Sequence, residues 1–195
     1  MFIPSDFKIS DAEEINRFIE QHSFGILVST HNHEPTATHL PFHRAKKDLL
    51  QAHIARANPQ WQQLDGQRVL LILPGPHDYV SPTWYESPGV PTWNYQSVHI
   101  YARASCFTDT ERLQELVLTL SNDYEASRSE PWQGEFNRTM LKAIVGIDLQ
   151  IEEIQCKYKL SQNRSEQDQR NVSNELERAG NQPLARAMRL HNRLD

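Results

Sequence analysis

Ile15, Phe18 and Ile19 recur at i, i+3 and i+4, the spacing of one helical face. Ser10 before them suits an N-cap, and Glu13 three residues on completes a capping box. A period of two then takes over. "FGILVST" (24–30), "PTATHLPFH" (35–43) and "LLQAHIA" (49–55) read as strands joined by the polar turns "HNHE" and "AKKD", an antiparallel meander. "NPQWQQL" (58–64) is a short helix, with Asn58 as cap and Pro59 at its first position. "QRVLLIL" (67–73) is a fourth strand, and a Pro- and aromatic-rich stretch follows it.

"VHIYARASC" (98–106) alternates cleanly, with Val98, Ile100, Ala102 and Ala104 on one side and His99, Tyr101 and Arg103 on the other. Helices are predicted over 108–125, with Thr108 or Thr110 near the cap, and over 137–144. The last strand, 145–160, carries apolar residues on odd positions up to Ile151 and on even ones from Ile154. A bulge at Glu152–Glu153 would keep both sets on one face. Two helices, 165–179 and 183–194, close the chain, separated by Gly180 at a C-cap with Pro183 opening the second. The pattern predicts an α+β, mainly β protein: about six antiparallel strands, curled into a barrel and edged by helices. Residues 1–160 would form the main domain and 161–195 a helical extension packed on it.

The 195 residues suit one such domain, and the formal charge of −5 gives no nucleic-acid signature by itself. Cys106 and Cys156 show no framework spacing, so free thiols and a cytoplasmic protein are expected. "MFIPSDFKIS" lacks the basic start and apolar run of a leader, and no apolar run has the roughly 18 residues of a membrane span. Nine histidines invite a metal reading. His39 and His43 would stand about 13 Å apart along a strand, too far to share an ion, so no metal is predicted.

Two stretches carry candidate chemistry. In "HIARANPQW" (53–61) a strand ends, Arg56 follows and a helix starts, so helix amides and a guanidinium are available to a phosphate. A solvated arginine beside an ordinary cap fits the same residues. Tyr79, Trp84, Tyr85, Trp93 and Tyr95, stiffened by prolines, would make either a packed corner or a preformed wall for a flat ligand. No Walker, G-x-S-x-G or G-x-G-x-x-G motif is present, and no catalytic set is predicted.

The blocks "HLPF" (39–42), "HIARANPQW" (53–61), "GPHDYVSPTWY" (75–85), "VPTWNYQSVH" (90–99) and "KLSQNR" (159–164) together resemble the PaiB-type regulators, also called PAI-2-type or FMN-binding negative transcriptional regulators. The resemblance covers nearly the whole chain. It implies an FMN-binding split β-barrel and a homodimer with flavin sites formed between subunits. It points to His39, His53, Arg56 and Asn58 for the flavin phosphate. From the second subunit it points to Trp93, Asn94 and Gln96, and from the "KLSQNR" block to Lys159, Gln162 and Asn163. Ala52 and Ala102 stand where family members often carry glycine, and strand 35–43 lacks the arginine that oxidases of this superfamily set against the phosphate.

The family implies transcriptional repression, and DNA is the implied partner. Residues 157–195 hold eight Lys/Arg against five Asp/Glu, and Arg186, Arg189 and Arg193 share one side of the last helix. A solvated hairpin that braces a dimer explains the same charges. The alternatives are an FMN-dependent oxidoreductase acting on a small substrate, and a flavin or haem carrier without turnover.

Overall fold

The computed structural model describes residues 1–194. The strands are β1 (Lys8–Ile9), β2 (Phe24–His31), β3 (Glu34–Pro41), β4 (His43–Lys46), β5 (Leu49–Ala55), β6 (Arg68–Val80), β7 (Thr92–Phe107) and β8 (Ile144–Lys159). The helices are α1 (Ala12–Gln21), α2 (Thr110–Glu125), α3 (Arg138–Lys142), α4 (Glu166–Arg178) and α5 (Gln182–Asn192). Strands hydrogen-bond in the order β3–β2–β6–β7–β8–β5–β4, and β1 pairs with β8. Among the described residues this makes eight strands, against the six predicted. The additions are β1, of two residues, and β4, of four, both too short to show a period in the sequence.

The described residues divide into two compact units: residues 1–18, 74–98 and 155–194 form one, and residues 19–73 and 99–154 the other. Strands β6, β7 and β8 each contribute to both units.

In the second unit the alternation of β5 is decisive. Leu50, Ala52 and Ile54 are buried to within 1% and lie opposite Leu149, Ile147 and Val145 of β8. Their neighbours Gln51 and His53 turn to the other face, opposite Asp148 and Gly146. There Arg112 of α2 pairs with Asp148 at 2.7 Å and lies over the Phe107 ring, and that ring covers Gly146 so closely that a Cβ has no room. Leu113, Val117 and Leu141 form a small core with Phe107, Phe136 and Ile144. Strands β2 and β3 are joined by Asn32 and His33, both at positive φ (51° and 65°), the turn that matches strand twist in a two-residue hairpin.

In the first unit Phe18, Val80, Val98, Tyr158, Leu160, Val172, Leu176, Leu184 and Met188 are buried. Helices α4 and α5 form a hairpin. Gly180 at φ 90° closes α4, with its N–H bonded to Glu177 O and that of Asn181 bonded to Leu176 O, a Schellman cap. Asp168 in the first turn of α4 accepts bonds from the Glu86 amide (2.8 Å) and the Ser87 hydroxyl (2.5 Å), fastening the proline-rich loop.

Several local readings are corrected. Asp11 rather than Ser10 caps α1: the helix starts at Ala12, so the Asp11 carboxylate is the one that reaches the Glu14 amide. Asp109, between Thr108 and Thr110, caps α2 by accepting from the Arg112 amide. Strand β6 continues through "GPHDYV". Pro74 and Pro76 lie two apart, so their missing N–H groups point to one side and the strand survives. The burial phase of β8 does change from odd to even, and it changes where the strand passes from the second unit to the first.

Candidate functional site

At the end of β5 the Asn58 N–H bonds back to Ala55 O, and a 3-10 turn, Pro59–Gln63, begins. Asn58 caps it by accepting from the Gln60 amide at 3.0 Å. That amide is therefore satisfied within the chain, and the anion-binding character of the junction rests on Arg56. The Arg56 guanidinium donates to the main-chain oxygens of Lys142 (2.6 Å) and Ile144 (3.1 Å), and it lies 6.0 Å from the Trp61 ring. The indole N–H of Trp61 in turn donates to Arg56 O at 2.9 Å. These contacts fix the side chain and leave the Nη1 edge open. Among the described residues no carboxylate pairs with it, whereas Arg68, Arg103, Arg112, Arg170, Arg178 and Arg189 all have one.

The side chain that organises this junction was not anticipated. Gln60 is fully buried. Its amide nitrogen donates to Leu27 O (3.2 Å), Ser29 Oγ (2.8 Å) and Thr36 O (3.1 Å), and its Oε1 accepts from the Thr38 hydroxyl at 2.5 Å. Asn58 Nδ2 also donates to Thr38 Oγ1, at 2.9 Å. The turn below Arg56 is thus tied to both strands of the β2–β3 hairpin. Nothing in "NPQW" marks a glutamine as buried; its only signal is its place between two residues of a capped turn.

The remaining predicted residues divide. His39 is exposed, on the opposite face of β3 from Thr38, and stacks on Phe24 with ring centroids 6.2 Å apart. His53 lies half-buried on the β5 face that carries Gln51, its Nδ1 has no partner, and burial pushes its pKa down, so it is neutral at pH 7. In the first unit Trp93 is 54% exposed, but Asn94 is fully buried and Gln96 nearly so. Asn94 Nδ2 donates to Ser161 Oγ (2.9 Å) and meets Met188 Sδ (3.4 Å), while its Oδ1 has no partner. The "KLSQNR" block is a tight turn around Ser161, at φ 65°. Gln162 folds back onto the Leu160 amide and Tyr158 O, each at 2.6 Å, and Asn163 is exposed. Lys159 donates to Thr92 Oγ1 and Trp93 O. Of the arginines considered for DNA, Arg186 and Arg193 are exposed; Arg189 is held by Glu177 (2.6 Å) and Asn174 (2.9 Å) within the helical hairpin.

Residues 1–153 match the family described as "Putative FMN-binding domain". The chain belongs to this family. The family's cofactor is FMN, and the open guanidinium of Arg56, unpaired with any carboxylate among the described residues, is a donor set that fits a flavin phosphate. A relative in Bacillus subtilis, "Protease synthase and sporulation protein PAI 2", is 43% identical over 96% of this chain and 94% of its own length. Two solved structures share the fold. The flavocytochrome Anf3 of Azotobacter vinelandii gives a TM-score of 0.65 at 18% identity, covering 78% of this chain and 69% of that one. An FAD- and heme-binding protein of Mycobacterium smegmatis gives 0.64 at 15% identity, covering 78% and 73%. The α+β antiparallel architecture of this family member is therefore that of split-barrel flavoproteins. No helix among its described residues is long and apolar enough to cross a membrane.

Proposed function

We propose that the protein is an FMN-binding transcriptional regulator of the PaiB type, acting as a cytoplasmic homodimer, with the flavin phosphate on Arg56. The observation that carries the site is the Arg56 guanidinium, immobilised by two main-chain carbonyls with one edge unused. Such a side chain has already lost its rotamer freedom, so a phosphate would bind it without that cost. His39, His53 and Asn58 complete the expected set on the same unit. Of the residues expected from a second copy, Trp93 has the exposure to meet a ligand from outside, and of the "KLSQNR" block Asn163 does. FMN, when bound, supplies a redox-active ring; the chain's residues would bind and orient it. The regulatory role is supported by the PaiB-type motifs and by the likeness to the sporulation protein of Bacillus subtilis.

The visible spectrum tests the site. Purified protein is expected to be yellow or to become so with FMN, and Arg56→Ala is expected to lose that absorbance while keeping its fold. Colourless protein that takes up no FMN would sink the proposal. The regulatory half is tested by salt-dependent binding to DNA upstream of the protein's own gene, weakened by Arg186→Ala. Binding that shows no preference for that DNA would remove it.

A further inference from the structure

The first unit holds a group of cations that the flavin phosphate site does not use. Lys157 and Lys159 alternate on β8 and so share one face, roughly 7 Å apart along the strand. Lys8 of β1 lies directly opposite Lys157 in register and on the same face. Arg164 follows at the end of the "KLSQNR" turn, where it lies 4.5 Å over the Tyr85 ring and donates to Pro88 O. Lys157 is only 9% exposed. Its ammonium donates to Phe2 O at 3.2 Å and lies 5.2 Å from the Tyr95 ring, which accounts for one of its three N–H groups. The Lys159 ammonium uses Thr92 Oγ1 and Trp93 O.

None of these four cations has a carboxylate partner among the described residues, although the α4–α5 hairpin of the same unit pairs Arg170, Arg178 and Arg189. Burying an ammonium without a counter-ion is costly, and like charges placed opposite each other in a sheet repel. Burial first, then Lys157 and Arg164, push the Lys159 pKa down, so the repulsion is felt within the group. The acceptors present are neutral carbonyls, a hydroxyl and ring faces. They solvate the cations without neutralising them.

We propose that Lys157, Lys159 and Arg164, with Lys8 at the rim, form a receptor for a compact anion carrying two or more negative charges, a polycarboxylate or a phosphate. The charge count sets the valence: a single carboxylate would leave most of the excess in place. The site does not use Arg56, and it assigns to an anion the Lys159 that the family resemblance pointed toward the flavin.

The test is calorimetric titration of FMN-loaded protein at low ionic strength with citrate and, separately, with pyrophosphate. One saturable site per chain is expected for at least one of them, and the stronger binder tells polycarboxylate from phosphate. Lys157→Gln and Lys159→Gln are each expected to weaken that binding roughly tenfold or more, as loss of a charge-assisted hydrogen bond does. Lys159→Arg keeps the charge and is expected to bind, which separates lost charge from lost fold. Lys157→Gln is also expected to melt higher than the parent without anion, because it removes an unpaired buried charge. Saturable binding of neither probe would overturn the proposal. So would unchanged affinity in both glutamine variants, or loss of the site in Arg56→Ala.

Discussion

Replacing Gln60 with leucine removes the amide that ties the Arg56 turn to the β2–β3 hairpin and keeps the side chain's approximate size. Four hydrogen bonds disappear, to Leu27 O, Ser29 Oγ, Thr36 O and the Thr38 hydroxyl. A neutral intramolecular bond contributes about 1 kcal/mol net, and each buried group left without a partner costs about 1–3 kcal/mol. Several losses are softened. Thr38 Oγ1 keeps its bond from Asn58 Nδ2, the hydroxyls can rotate, and leucine adds apolar contact. The expected destabilisation is therefore about 3 kcal/mol. For a chain of this size that lowers the melting temperature by roughly 6–12 °C. Thermal unfolding followed by circular dichroism measures it. A cycle with Thr38→Val isolates the direct pair, where coupling of about 0.5–3 kcal/mol is expected for residues in contact. FMN affinity is expected to fall in the same variant, because the turn that aims Arg56 loosens. A melting temperature within about 2 °C of the parent would refute the argument, since it would mean that less than about 1 kcal/mol depends on the whole set.

Asp168 is held below the usual carboxylate range first by the Ser87 hydroxyl, with the Glu86 amide also contributing. A depressed folded-state pKa gives stability that is present above the unfolded value, about 3.9, and is lost as pH falls through the folded one. Denaturant melts at neutral pH and near pH 3 are therefore expected to show a larger acid loss for the parent than for Asp168→Asn, and equal losses would contradict it. Gly146→Ala is expected to destabilise strongly, because its methyl would enter the Phe107 ring, and Phe107→Ala in the same chain should recover part of the loss. Chemical denaturation of the two variants decides this. Burial pushes the Cys106 thiol up to about 11 and that of Cys156 up to about 12, so both stay protonated at pH 8. Native protein is expected to react slowly with a disulfide reagent and unfolded protein quickly. Rapid native labelling would show that the thiols are not held as described.

The longer strands and the helices were legible because each carries its own period, and the caps at Asn58 and Gly180 because capping is a local event. The flavin family was legible because its motifs are short, contiguous blocks. The insides of the two units were not. Gln60 reaches Leu27 and Thr36, partners 33 and 24 residues away, and a glutamine's burial cannot be read from its own neighbours. Asn94 is a different case, because the signal was present. Val98, Ile100, Ala102 and Ala104 are buried, and counting back by twos along β7 reaches Gln96 and Asn94. The phase set by four apolar residues outweighs the chemistry of the two amides, which face inward while Trp93 and Tyr95 turn out. The cations of β8 hid for the opposite reason: two lysines on a strand look ordinary until none of the carboxylates of the described residues pairs with them.

The short turn beneath Arg56 behaves as a substitute strand. Gln67 exchanges bonds with both main-chain groups of Thr30 (2.6 and 3.0 Å), and Gln63 does so with the N–H and side chain of Asn32 (3.0 and 2.8 Å). Together with Gln60, three side-chain amides continue the ladder where the backbone of a neighbouring strand is absent. The tip of the β2–β3 hairpin, which would ordinarily fray first, is thereby coupled to residues 59–67. The Thr30 and Asn32 amides are therefore expected to exchange with solvent only when that turn lets go, hairpin and turn opening as one cooperative segment.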